Sequence, residues 1–252
     1  MPFYVSWRLV LPSALRIEEA EKKLEILRDR CARLPVERVS PALDVLRGEA
    51  LEEERCRACI RWVPGDLELP VNPRPGENSE FIEATEVLSF VVWPGRGAES
   101  AWLGLARHPQ ADLRVQERTG GNWTGAGQSK TLYAAHPSVG GLQHFMKCHL
   151  ALISALDEAK RLGFEVRVSD DGEYWQHRDV RLLLGKLHQA EHQVARIVGR
   201  LTDLLAGQSE GSLVAPMKGR PDFEGIEASP PHPVTPRWDG VVTELLRRTG
   251  GG

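Results

Sequence analysis

The stretch "GNWTGAGQSKTLYAAHP", residues 121–137, decides how the chain is read. It holds Gly121, Gly125 and Gly127, and a Lys130-Thr131 pair follows. A phosphate-binding loop has the form G-x-x-x-x-G-K-[ST] between a strand and a helix. Its last glycine lets the backbone curl, and the helix N-terminus then points its N–H groups at phosphate. Here Ser129 precedes Lys130, and Gly127 lies three positions before the lysine. The following "TLYAAHP" runs into Pro137, so no long helix opens at Thr131. The stretch is therefore expected to be an ordered, glycine-bent loop leading into a helix, not a nucleotide cradle. Loops on a rigid scaffold carry recognition, so Trp123, Gln128, Lys130 and Tyr133 become candidate binding residues.

Working outward, the hydrophobic pattern supplies the elements. "FYVSWRLVL" (3–11) alternates and is rich in strand formers. Pro12-Ser13 is expected to open a helix through residue 34, with Ser13 as N-cap and Pro35 as stop. "VERVSPALDVLRGE" and "RCRACIRWVP" predict two strands, the second with a helical alternative after "EALEEE". Residues 64–80, rich in proline and turn formers, predict a loop or internal linker. Two apolar runs flank Pro94-Gly95-Arg96-Gly97 and predict a hairpin over 85–109, and "LRVQER" predicts a further strand. Helical spacing returns at 141–163, "FEVRVS" predicts a strand, and a third helix is expected over 177–206. Beyond Gly207 the pattern dissolves into a Pro/Gly-rich tail, 207–252.

This order predicts one α+β domain over 1–206, a mostly antiparallel sheet with helices on one face. A ferredoxin-like β-α-β-β-α-β core with an inserted hairpin and an extra C-terminal helix is one arrangement that satisfies it.

Composition sets limits on function. The chain has 252 residues, 41% hydrophobic and 27% charged, with a formal net charge of −3. That balance fits a soluble globular protein and offers no broad basic surface for a phosphate backbone. Nucleic acid is therefore not an expected partner. The N-terminus lacks a basic start followed by an apolar run, and no segment approaches the ~20 apolar residues of a membrane span. A cytoplasmic location and no membrane association are expected. Four cysteines without a secretory leader do not predict a disulfide framework. The abundance of Arg, Ala, Leu and Gly is that of a GC-rich bacterial coding sequence.

Several motifs invite chemistry. Cys56-x-x-Cys59 is half of a zinc site or a redox pair, with His144 and Cys148 as the best suppliers of further ligands. Small residues filling space is the competing account. His149 falls on an apolar helix face and is expected to be a satisfied core residue. His188-x-x-Glu191-His192 resembles the inverted zinc-protease signature, in which two histidines hold zinc and the glutamate activates water. The resemblance covers five residues, and a partly exposed helix face with two histidines is the competing account. "SDDGEYWQHRD" (169–179) gathers Asp170, Asp171, Glu173, His177 and Asp179 with Tyr174, Trp175 and Arg178. Acid–base work and ion binding compete there with an Asp-Gly turn, a helix-dipole acid and core-packed aromatics. The terminal "LLRRTGGG" resembles the Gly-ending arm of ubiquitin-like modifiers over eight residues.

No motif assembles an activated nucleophile, a matched base or a full ligand set. No cofactor or metal is therefore expected. The function expected is that of a binding or accessory protein, acting through contacts with a protein partner. The alternatives are a metal-dependent hydrolase and a modifier conjugated through its glycine tail. The expected recognition surface joins the 121–133 segment to the 170–179 turn: Trp123, Gln128, Lys130, Tyr133, Asp170, Asp171, Tyr174, Trp175 and Arg178.

Overall fold

In chain order the elements are β1 (Tyr4–Leu11), α1 (Ile17–Cys31), β2 (Arg38–Val39), β3 (Asp44–Arg47), α2 (Glu49–Arg57), β4 (Leu67–Pro70), β5 (Ser79–Ile82), β6 (Glu86–Trp93), β7 (Ala101–Arg107), β8 (Trp123–Lys130), α3 (Gly141–Arg161), β9 (Glu165–Asp170), α4 (Tyr174–His177) and α5 (Val180–Leu205). Two short 3-10 turns, Leu132–Ala135 and Pro137–Val139, join β8 to α3. These come from a computed structural model that describes residues 3–57, 67–70, 79–109 and 119–205.

The fold is α+β, built on a seven-stranded antiparallel sheet. Its order is β2-β6-β7-β8-β1-β9, with β3 also paired to β6. β4 and β5 pair separately with each other. A ferredoxin-like topology is not confirmed. The crossover from β1 through α1 to β2 passes over three strands, β8, β7 and β6, where that topology passes over one. The second crossover, β8 through α3 to β9, does pass over β1 alone.

The stretch 121–137 contains a strand where a loop was expected. β8 pairs with β1 along its whole length, from Leu11 opposite Trp123 to Tyr4 opposite Lys130. Its glycines are demanded by neighbours, not by a turn. A Cβ on Gly127 would sit 2.5 Å from the Trp7 indole, which lies over it. A Cβ on Gly125 would sit 1.9 Å from the Gly104 carbonyl oxygen of β7. Glycine in a strand marks such close approaches. β7 meets β8 at Ala106–Thr124 and, just before the strand, where the Glu99 N–H donates to the Lys130 carbonyl. Between these anchors β7 carries one more residue than β8, the count of a β-bulge.

Alternation divides the sheet into two faces. Val5, Trp7, Leu9 and Leu11 of β1 join Leu88, Phe90, Leu103, Leu105 and Trp123 on the first. The long helices α1 and α3 cover that face with Ala20, Leu24, Leu27, Leu152, Ile153 and Leu156. Each large apolar side chain buried this way contributes about 1.5–3 kcal/mol. On the second face Leu51 of α2 packs with Val87 and Ala106. Farther along, Ala126, Gln128, Arg167 and Ser169 are exposed. A second core lies at one end of the sheet, where α5 places Leu183, Leu184 and Leu187 against Phe3, Leu132 and Phe145.

Local boundaries follow from capping. α1 starts at Ile17, later than Pro12-Ser13 suggests, because the Arg16 N–H donates to the Glu19 carboxylate at 2.9 Å. The Ser13 N–H instead reaches the Asn122 side chain. Glu49–Arg57 forms α2, so residues 55–57 of the second expected strand are helical, and 58–64 lie outside the described residues. The ends of the expected 64–80 linker pair as β4 and β5. The hairpin is present as β6 and β7. Gly163, at φ +86°, follows the end of α3. The expected strand at 113–118, Cys59 and the 207–252 tail lie outside the described residues. Among the described residues no helix is long and apolar enough to cross a membrane.

Candidate functional site

The two segments expected to share a site lie on opposite edges of the start of β1. The Thr131 N–H donates to the Phe3 carbonyl, and the Asp171 N–H donates to the Tyr4 carbonyl. The Tyr4 N–H returns a bond of 2.9 Å to the Asp171 carboxylate. Between the segments stands His149 of α3. Its Nδ1 lies 3.2 Å from the Thr131 hydroxyl, and its Nε2 lies 3.4 Å from the Asp170 carboxylate. The Nε2–Asp170 contact is an ion-pair distance without hydrogen-bond geometry, and which partner donates between Thr131 and Nδ1 depends on the imidazole tautomer.

A hydroxyl, an imidazole and a carboxylate in series have the polarity of a hydrolytic triad. Here all three residues are buried. Phe3 and Phe145 pack on the imidazole, with ring centroids 5.9 and 5.4 Å away. Burial pushes the Asp170 carboxyl up. The His149 ring and the N–H groups of Trp175 and Gly172 pull it down further, so it stays below its ordinary value. The group thus ties β8, α3 and β9 together as a buried polar staple.

The turn after Asp170 is held from many sides. Asp170 accepts from the Gly172 and Trp175 N–H groups at 2.8 and 2.9 Å. Glu173 and Arg178, at φ 56° and 53°, bracket the single turn of α4. Left-handed backbone at such residues is strained and persists only where surroundings enforce it. Lys186 of α5 bonds Glu173. Arg178 grips Asp157 of α3 through two bonds of 2.8 and 2.7 Å and lies 4.7 Å over the Trp175 ring. Asp179 accepts from the Arg181 N–H at 2.7 Å and caps the start of α5. Tyr174 and Trp175 pack on the first core. The carboxylates of this turn thus point to separate partners, and they form no shared ion site.

Among the 121–133 candidates, Trp123 is fully buried and its indole N–H donates to the Leu15 carbonyl at 3.0 Å. It belongs to the core. Gln128 and Tyr133 are exposed. Lys130 bonds the Tyr133 hydroxyl at 3.3 Å, and its ammonium lies 4.5 Å from that ring. Trp102 on β7 was missed by sequence reasoning. It is 43% exposed, and it walls a shallow depression floored by Gly104, Gly125 and Ala126. The alternation of "AWLGL" carried the signal, since buried Ala101, Leu103 and Leu105 flank it on the other face.

Among the described residues the remaining motifs supply no second centre. His144 Nε2 is 2.8 Å from the Arg96 carbonyl, so that nitrogen donates and cannot take a proton from Cys148, whose sulfur is 3.5 Å from it. Burial pushes the Cys148 thiol up to about 11, so it is not a thiolate nucleophile at neutral pH. The CxxC partner set cannot be placed, because the Cys59 position and the Cys56 side chain lie outside the described residues. His188 and Glu191 line a cavity of about 180 Å³ with Leu142, Leu184 and Leu187. Among the described residues no three His, Cys, Asp or Glu side chains converge as a metal centre.

No protein family, characterised protein or solved structure matches the chain.

Proposed function

We propose that the chain is a cytoplasmic binding or accessory protein that docks a protein partner on the second face of its sheet. The observation that carries this reading is the exposure of Trp102 and Tyr133 beside the outward row of β8. That row runs Ala126, Gln128, Lys130. Trp102 meets it at Ala126, across the depression, and Lys130 meets Tyr133. Exposed aromatic anchors beside small and adaptable polar residues are what protein interfaces concentrate. Support also comes from the burial of all three members of the triad-like group. Asp171, at the same end of the sheet, stays within reach of this surface through its bonds to Tyr4.

The experiment is affinity capture from an extract of the source cell, with wild-type protein beside Trp102→Ala and Gln128→Glu. A partner held by the wild type should be lost from both variants while their circular dichroism and melting curves stay unchanged. Equal capture by all three proteins would reject this face as the docking surface.

A further inference from the structure

The two ends of the sheet are finished differently. At one end the strands are short, β2 with two residues and β3 with four. Short edge strands are one way proteins prevent pairing with another chain. At the other end β9 offers six residues in unbroken register with β1, without proline or bulge. Among the described residues no strand pairs with its outer edge. The Asp171 N–H bonds the Tyr4 carbonyl. Bonding alternates along an antiparallel ladder, so Glu165, Arg167 and Ser169 bond β1 while Val166 and Val168 turn their N–H and C=O groups outward. Both valines pack against the first core, yet each remains partly exposed.

We propose that β9 pairs antiparallel with β9 of a second copy of this chain, about a two-fold axis at Val166. Charge selects both the partner and the register. With Val166 opposite its own counterpart, Glu165 of each copy faces Arg167 of the other on the open face of the sheet. Arg167 stands opposite Arg8 on its β1 side, so a carboxylate on its other side offsets a like charge. Centring the pair on Arg167 would set two arginines together, and centring it on Val168 would set Glu165 against Asp171. The Val166 N–H and C=O groups exchange two bonds across the axis. Glu165 and Arg167 are ion-paired within the strand at 2.6 Å, with side chains 55% and 73% exposed, so both can turn to the second copy without leaving a buried partner. The interface is isologous, and it joins two sheets into one with the helices of both copies on the same side. It lies at the edge of the sheet, and it does not rest on the docking function.

The test is sedimentation velocity of the full chain over a range of concentrations. The wild type should pass from monomer to dimer across roughly 1–100 μM, as a small interface allows. Glu165→Arg and Arg167→Glu each turn two attractive pairs into repulsive ones, and each should weaken dimerisation by about tenfold or more. The double variant Glu165→Arg/Arg167→Glu restores both pairs with the signs exchanged, and it should recover the affinity of the wild type. Both positions are exposed, and circular dichroism checks that all three variants fold. A wild type that stays monomeric throughout, a dimer indifferent to the single reversals, or a double variant no better than the singles would overturn the proposal.

Discussion

Two tryptophans on neighbouring strands have opposite surroundings. Trp123 of β8 is wholly buried under α1, and Trp102 of β7 is 43% exposed on the other side of the sheet. Trp123 sits in a stretch dense with glycine and polar residues, where an aromatic suggests recognition. Trp102 sits in an apolar hairpin, where an aromatic suggests core. Both suggestions fail, because in a strand the position modulo two decides the face, and the face decides the surroundings. The polar residues divide in the same way. Asp170 and Thr131 point inward to His149, and Gln128 and Ser169 point outward.

The sharpest way to break this contrast is to truncate both tryptophans. Trp123→Ala removes a packed ring and an indole bond to Leu15, and should lower unfolding free energy by about 3–5 kcal/mol. Urea denaturation followed by circular dichroism measures it. A loss under about 1 kcal/mol would mean that Trp123 is not a core residue.

His149→Ala comes next. It leaves the Asp170 carboxylate and the Thr131 hydroxyl buried without their shared partner, and should lose about 1–3 kcal/mol in the same assay.

A smaller effect sharpens the inward side of the comparison. The Asp170 carboxyl is held below its unfolded value, so its contribution is present above the ordinary aspartate range near 4 and fades as pH falls through the folded value. The stability gap between wild type and Asp170→Asn should therefore be constant from pH 6 to 7 and shrink below about pH 4. A gap independent of pH would show that the charge of Asp170 contributes nothing.

The smallest change is expected on the outward side. Trp102→Ala should alter stability by no more than about 0.5 kcal/mol. A loss as large as that of Trp123→Ala would place Trp102 in an interior contact and remove it from any docking surface.

Much of the fold was legible where the pattern is local. The β6–β7 hairpin, α3, β9 and α5 all follow from apolar spacing within one segment. β8 was not, because the cause of its glycines lies elsewhere in the chain. Gly127 makes room for Trp7, and Gly125 makes room for the backbone at Gly104. Seen alone, such glycines look like a bend. The same limit hid the polar staple. Thr131, His149 and Asp170 come from three segments, and only the crossover through α3 brings them together. The core placement of His149 was readable from its helix face alone. The outward turn of Trp102 was readable too, from its place between buried neighbours.

The position of β1 also governs how the chain assembles in time. Its inward residues Val5, Trp7, Leu9 and Leu11 are made early, but its two partners come at 123–130 and 165–170. At about 5–20 residues per second, a ribosome needs roughly 8–30 s to deliver both. Until β8 is made a hydrophobic strand waits with both edges unpaired, the state in which strands aggregate, and one edge stays open until β9 follows. The long separation between partners also predicts slow folding from the denatured state. Nascent chains ending before residue 123 should therefore engage chaperones through residues 4–11, and release should coincide with completion of β9.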